Sequence, residues 1–148
     1  MTDRAYSRRT FLTATVGLAA AGAWAAIVLP GVRALVAASA QPLPAFAYAT
    51  PRTVRAYRVA LAEPRLLESL PCYCGCGRYS PAHRSLLDCF ITPAGDFEQH
   101  AAGCTTCQDE ALDARQWAAA GLAPADVRRR IDAAYADRGP GTDTPHTT

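Results

Sequence analysis

The sequence predicts an all-α fold: a small domain of four to five short helices around a cysteine-rich loop, stapled by metal or disulfides. Three observations carry this expectation. Apolar residues recur at helical spacing between prolines and glycines that punctuate the chain. No segment longer than a few residues alternates as a strand would. All six cysteines fall between Cys72 and Cys107, and a domain of this size is marginal without a covalent or metal staple.

The elements follow in chain order. Residues 41–51 hold Pro42, Pro44 and Pro51 among small residues and read as an extended linker. The domain proper is expected over residues 52–138. Val54, Tyr57 and Leu61 mark a first helix. Pro64 then opens a short second one with Leu66, Leu67 and Leu70, and Pro71 stops it. Two glycines among three cysteines make Cys72 to Gly77 a loop shaped around its thiols. Ser80-Pro81 predicts a helix start, running through His83, Leu86 and Leu87 to about Phe90. Thr92 to Asp96 reads as a turn. Cys104 or Thr105 opens a helix whose face holds Cys107, Ala111, Ala114 and Ala118, with Leu112 alongside and Gly121 as its stop. Pro124 starts the last helix, with Val127, Ile131, Ala134 and Tyr135 on one face. Residues 139–148 are expected to be a disordered tail.

Residues 1–40 read as an address. Ser7-Arg8-Arg9-Thr10-Phe11-Leu12 matches the twin-arginine export pattern, whose residue identities are read by a receptor. Phe11 to Leu29 is mildly apolar, Pro30-Gly31 ends it, and Ala38-Ser39-Ala40 offers cleavage after Ala40. As an uncleaved helix the same stretch would reach about 28 Å, close to a bilayer core of about 30 Å. Membrane contact is therefore expected only through an uncleaved N-terminal segment. Either way the twin-arginine translocase is a partner during export, Arg8 and Arg9 stay on the cytoplasmic side, and the cysteines end up extracytoplasmic. This route carries folded cargo, which favours a metal loaded before export.

Charge narrows the function classes. Four of the arginines lie in the first 40 residues against Asp3 alone, and the remainder is slightly acidic. There is no lysine. The exported part thus has no basic footprint for nucleic acid.

The residues also carry a family resemblance. Pro71-Cys72-Tyr73-Cys74-Gly75-Cys76-Gly77 resembles the motif that names the PCYCGC-motif proteins, an uncharacterised bacterial family. The resemblance continues through His83-Arg84-Ser85-Leu86-Leu87-Asp88-Cys89-Phe90-Ile91, then His100-Ala101-Ala102-Gly103-Cys104-Thr105-Thr106-Cys107 and Asp109-Glu110-Ala111, into the helix of Val127, Ile131, Asp132 and Tyr135. It covers nearly all of the expected domain. Many such proteins look like lipoproteins; this chain has no cysteine near the cleavage position, so no lipid anchor is expected. The resemblance implies a fold unit and no activity.

Function must come from the thiols. Three readings stand. In the first, Cys72, Cys74, Cys76, Cys89, Cys104 and Cys107 bind a soft metal ion, with His83 and His100 as further candidates. Clustered thiolates select Cu(I), Zn(II) or iron–sulfur centres. Six thiols exceed one tetrahedral zinc and suit Cu(I) best, with Zn(II) second. Cys104-Thr105-Thr106-Cys107 at a helix start should have lowered thiol pKa values. An iron–sulfur cluster is disfavoured because no spacing fits ferredoxin or Rieske patterns. No haem is expected, because Gln108 stands where the attachment motif needs histidine. A metal donor or acceptor protein would be the partner. In the second reading the cysteines are structural disulfides. Close spacing strains bridges within the loop, so Cys72, Cys74 and Cys76 would pair outward with Cys89, Cys104 and Cys107. The third reading is a thiol–disulfide redox protein, for which the βαβ context is missing. No triad, phosphate loop or carboxylate pair is evident, so the balance lies against an enzyme and no catalytic residue is assigned. Asp88, Asp96, Glu98 and Asp109 read as solvated surface.

Overall fold

The computed structural model describes residues 41–80 and 83–145. The twin-arginine pair Arg8-Arg9 and the cleavage position Ala40 lie outside the described residues. The domain from Gln41 onward is a unit of its own, and its described residues are helical without a named strand. Five α-helices compose it: α1 (Pro51–Ala62), α2 (Pro64–Glu68), α3 (His100–Gly103), α4 (Thr105–Ala119) and α5 (Pro124–Tyr135). None is long and apolar enough to cross a membrane. The all-α expectation holds.

Local sequence sets the helix starts. Thr50 caps α1 by accepting the Thr53 backbone N–H at 3.0 Å, with Pro51 in the first turn. Pro64 and Pro124 open α2 and α5 in the same way. The long helices pack as α1 on α4 and α4 on α5. Ala56 and Ala60 on α1, and Ala111 and Ala114 on α4, are all fully buried; small side chains let helix axes approach closely. Two ion pairs, Arg52 with Asp109 and Arg115 with Glu63, cross between the α1 and α4 sides. Val127, Ile131 and Tyr135 form the buried face of α5, while Ala134, expected on that face, is exposed.

The two largest fully buried side chains are the aromatic Tyr57 and Phe90. Tyr57 on α1 meets Phe90 edge-on at 5.2 Å between ring centroids, with Phe46 at 5.9 Å and Phe97 at 6.3 Å. Phe46 belongs to the segment read as an extended linker. That reading is corrected: Ala45–Tyr48 forms a 3-10 turn, and Leu43 and Ala47 are buried. The apolar members of the "linker" have a core to reach.

Two further expectations fail. The helix expected from Ser80 to about Phe90 is absent over its described part: only Leu87–Cys89 is helical, as a 3-10 turn. Asp88 explains this. Its Oδ2 accepts the backbone N–H groups of Arg84 and Ser85 and the Ser85 hydroxyl, offering the backbone an alternative to helix. The turn from Thr92 does form, with Gly95 at φ 90° and Ile91 bridged to Phe97.

The tail is the larger correction. Residues 139–145 form a strap across the cysteine loop. Thr142 and Thr144 are buried. The Cys72 N–H donates to Thr142 Oγ1 at 2.9 Å, and the Thr142 N–H returns a bond to the Cys72 carbonyl at 3.1 Å. Thr144 Oγ1 donates to the Arg84 carbonyl, and Arg128 donates to the carbonyls of Ser69 and Thr144. At Gly139 a Cβ would stand 2.8 Å from the Tyr73 carbonyl oxygen, so only glycine allows this approach. The order comes from polar side chains satisfying backbone, which hydrophobic periodicity does not register.

Thr142→Val keeps the shape but removes the acceptor of a buried N–H. It should destabilise the reduced protein by about 1–3 kcal/mol, measured by urea denaturation. An unchanged midpoint would show that the strap does not hold the loop.

Candidate metal centre

The cysteine loop packs Cys72 and Cys76 into the core, and its backbone is held by hydrogen bonds. Cys72 is clamped to Thr142 as described. The Tyr73 N–H donates to Glu110 Oε1 on α4 at 2.8 Å, and the Tyr73 hydroxyl donates to Asp132 Oδ1 on α5 at 2.9 Å. Gly75 sits at φ 80°, where a side chain would be strained, and the chain turns there into the 3-10 turn Cys76–Arg78. The other ligands come from three places. Cys89 ends the Leu87–Cys89 turn, which the Leu86 N–H ties to the Leu70 carbonyl at 2.8 Å. His100 opens α3. Cys104 caps α4, and Cys107 lies in its first turn.

All six cysteines are unbridged, and their sulfurs converge. Cys72 Sγ is 3.5 Å from Cys107 Sγ, Cys76 Sγ is 3.6 Å from Cys89 Sγ, and Cys74 Sγ is 3.4 Å from His100 Nε2. A disulfide needs about 2.0 Å between sulfurs. A tetrahedral zinc-like centre has S–S edges of about 3.8 Å and S–N edges of about 3.5 Å. The Cys76–Cys89 and Cys74–His100 separations are within a few tenths of those edges. Two four-ligand sets result, in each of which the ligand atoms lie within 4.8 Å of one another: Cys72, Cys74, Cys76 and Cys89; and Cys74, Cys89, His100 and Cys107. The residues present therefore could hold a metal ion.

Two predicted ligands fall outside these sets. Cys104 is half-buried and interacts with Cys74 and Cys107. His83 is buried and stacks edge-on against His100 at 5.3 Å between centroids, with its Nε2 4.0 Å from Glu98 Oε2 and its Nδ1 without a hydrogen-bond partner. It packs against His100 and also hydrogen-bonds with the Cys76 thiol. Glu98 also accepts the His100 backbone N–H, so this acid positions the histidines and is more than solvated surface.

The protonation pattern corrects the helix-start expectation. Cys107 is pushed up, first by hydrogen bonding with Cys104. Cys104 also rises: Cys107 pulls it down, but Cys74 and burial outweigh that. The lowered thiols are in the loop. Cys74 is drawn down by hydrogen bonding from Cys104 and then Cys107, and Cys76 to about 6 by Cys72 above all. Cys72 is correspondingly raised through its contact with Cys107. Neighbouring thiols thus share protons, with the negative charge concentrated on Cys74 and Cys76.

Glu110 is the functional residue the sequence did not single out. A lone acid on a helix reads as solvated, and its only signal was its place in the resemblance. It is fully buried beside Cys72, with Oε2 lacking a hydrogen-bond partner. Burial pushes its carboxyl up to about 8.

A family model described as a protein of unknown function with PCYCGC motif matches residues 33–147. No curated protein and no solved structure matches the chain.

Glu110 carries a pH signature. In the fold it keeps its proton up to about pH 8 against an ordinary value of 4.5. The folded state thus binds the extra proton between those values, and its stability falls as pH rises through them. Glu110→Gln should stabilise the reduced protein by up to about 4 kcal/mol at pH 9 and by little at pH 4. Urea denaturation at both pH values checks it; a gain independent of pH would place the cause elsewhere than in the carboxyl proton.

Proposed function

The chain belongs to the PCYCGC-motif family, and we propose that it is an extracytoplasmic protein that binds a soft metal ion, Cu(I) first and Zn(II) second, through its thiolate cluster. The observation that carries this reading is the convergence of unbridged sulfurs and the His100 imidazole at coordination-edge distances, in four-ligand sets drawn from four separate segments. Thiolates at half-buried Cys74 and buried Cys76 repel each other, and a cation among them is the direct compensation. Excess thiolate and the absence of a carboxylate from either set favour a soft ion. A protein that donates or accepts the ion is the partner this chemistry calls for. Export follows from the twin-arginine pattern, and the ion would be acquired before or after translocation.

A second reading has one observation behind it. Cys72 touches Cys107 and Cys76 touches Cys89, so loop thiols meet partners outside the loop, as the disulfide reading required. Oxidation would bridge them with small movements. Joint measurement of free thiols and bound metal on protein taken from its native compartment without chelator separates the two: stoichiometric metal with free thiols supports the ligand reading, and three bridges without metal support the structural one.

Because the ligands must lose protons, binding should weaken at low pH. At a thousandfold excess over the dissociation constant, Cu(I) or Zn(II) should stabilise the reduced protein by about 4 kcal/mol, a melting shift of roughly 15–30 °C. Anaerobic melts check this, and Cys74→Ser and Cys107→Ser should each lose most of the shift. Reduced wild-type protein that ignores both ions would overturn the metal reading. For export, replacing Arg8 and Arg9 by lysine keeps the charge and should leave the protein in the cytoplasm, as fractionation would show; unchanged delivery would argue against the twin-arginine route.

A further inference from the structure

The two four-ligand sets overlap without coinciding. They share Cys74 and Cys89, and each adds two donors of its own: Cys72 and Cys76 in one, His100 and Cys107 in the other. Cys76 stands 3.6 Å from Cys89, and His100 Nε2 stands 3.4 Å from Cys74. Each shared sulfur therefore has at least one coordination-edge contact with a donor that belongs to a single set. Building on the metal reading, we propose that the cluster holds two soft metal ions side by side, with the thiolates of Cys74 and Cys89 bridging them.

The chemistry favours two over one. A thiolate sulfur has lone pairs enough to bridge, and thiolates select ions that accept such sharing. Four of the donors, Cys72, Cys76, Cys89 and Cys107, are buried. A single ion would leave several thiolates to be neutralised by protons or carried as uncompensated charge; a second ion removes much of that charge. The competing arrangement is one central ion. Cys72 and Cys107 are in contact at 3.5 Å, and both lie within 4.8 Å of Cys74 and Cys89, so these four sulfurs also form a compact set. That arrangement leaves Cys76 and His100 without a role, although both sit at ligand distance from the shared pair. In the two-ion arrangement Cys72 and Cys107 serve different ions and separate as both enter.

The test uses the reduced full chain under anaerobic conditions. Native mass spectrometry after loading with Cu(I) should show two ions per chain. Loading with cadmium-113 should give two magnetic resonance signals, one for four sulfurs and one for three sulfurs and a nitrogen, split by coupling through the shared thiolates. Cys76→Ser and His100→Ala should each weaken one ion and leave the other, whereas Cys74→Ser and Cys89→Ser should weaken both. Circular dichroism of each loaded variant checks that the helices persist, and the wild-type count needs no variant at all. One ion per chain, indifferent to Cys76→Ser and His100→Ala, would overturn the bridged pair while leaving metal binding intact. No bound ion would overturn both.

Discussion

Sulfurs brought within contact of one another repel as soon as more than a few ionise, and this constraint orders the rest of the domain. Within the cluster a protonated thiol donates to a thiolate: Cys104 and Cys107 draw Cys74 down and Cys72 draws Cys76 down, while Cys72 and Cys107 are raised. Glu110 fits the same logic. A carboxylate beside Cys72 would add to the negative charge, and burial keeps it protonated into the neutral range. The apo site is thus held with protons doing the neutralising that a cation would otherwise do.

Holding the loop is a separate problem, solved away from the sulfurs. The aromatic cluster of Phe46, Tyr57, Phe90 and Phe97 anchors α1 to the segments that carry Cys89 and His100, and the Tyr57 hydroxyl reaches the Glu98 carbonyl. The loop packs Cys72 and Cys76 into the core, and polar groups fasten its backbone and Tyr73: Thr142 at Cys72, and Glu110 and Asp132 at Tyr73. Apolar packing positions the ligand-bearing segments, and hydrogen bonds set the backbone between them.

How much of this was legible depended on the kind of signal. Helices bounded by Pro64, Pro124 and Gly121 were plain, because proline and glycine act locally. Convergence of the cysteines was also legible, since a thin core with six thiols in one stretch leaves few other places for them. The His83–Phe90 stretch misled because its apolar spacing suits a helix, while Asp88 binds the backbone N–H groups of Arg84 and Ser85. Thr142 and Thr144 gave no signal at all: a threonine that caps a distant backbone looks like one in a polar tail. Glu110 was hidden for the same reason, since its burial is decided by what α4 packs against. His83 and His100 looked equivalent in sequence, and only folding made one a donor in a four-ligand set and the other its neighbour.

The strap has a consequence for the order in which the protein can be made. Cys72 is fastened by a residue 70 positions further along the chain, and Tyr73 by one 59 positions along. During synthesis the loop thiols emerge long before either fastener exists. Closing such distant contacts comes late in folding, because the chain must first lose the freedom of the intervening segment. All six cysteines are therefore translated, and remain open to oxidants and stray ions, before the geometry that gathers them is available. Gathering of the thiols therefore waits on residues translated well after them, whichever side of a membrane it takes place on.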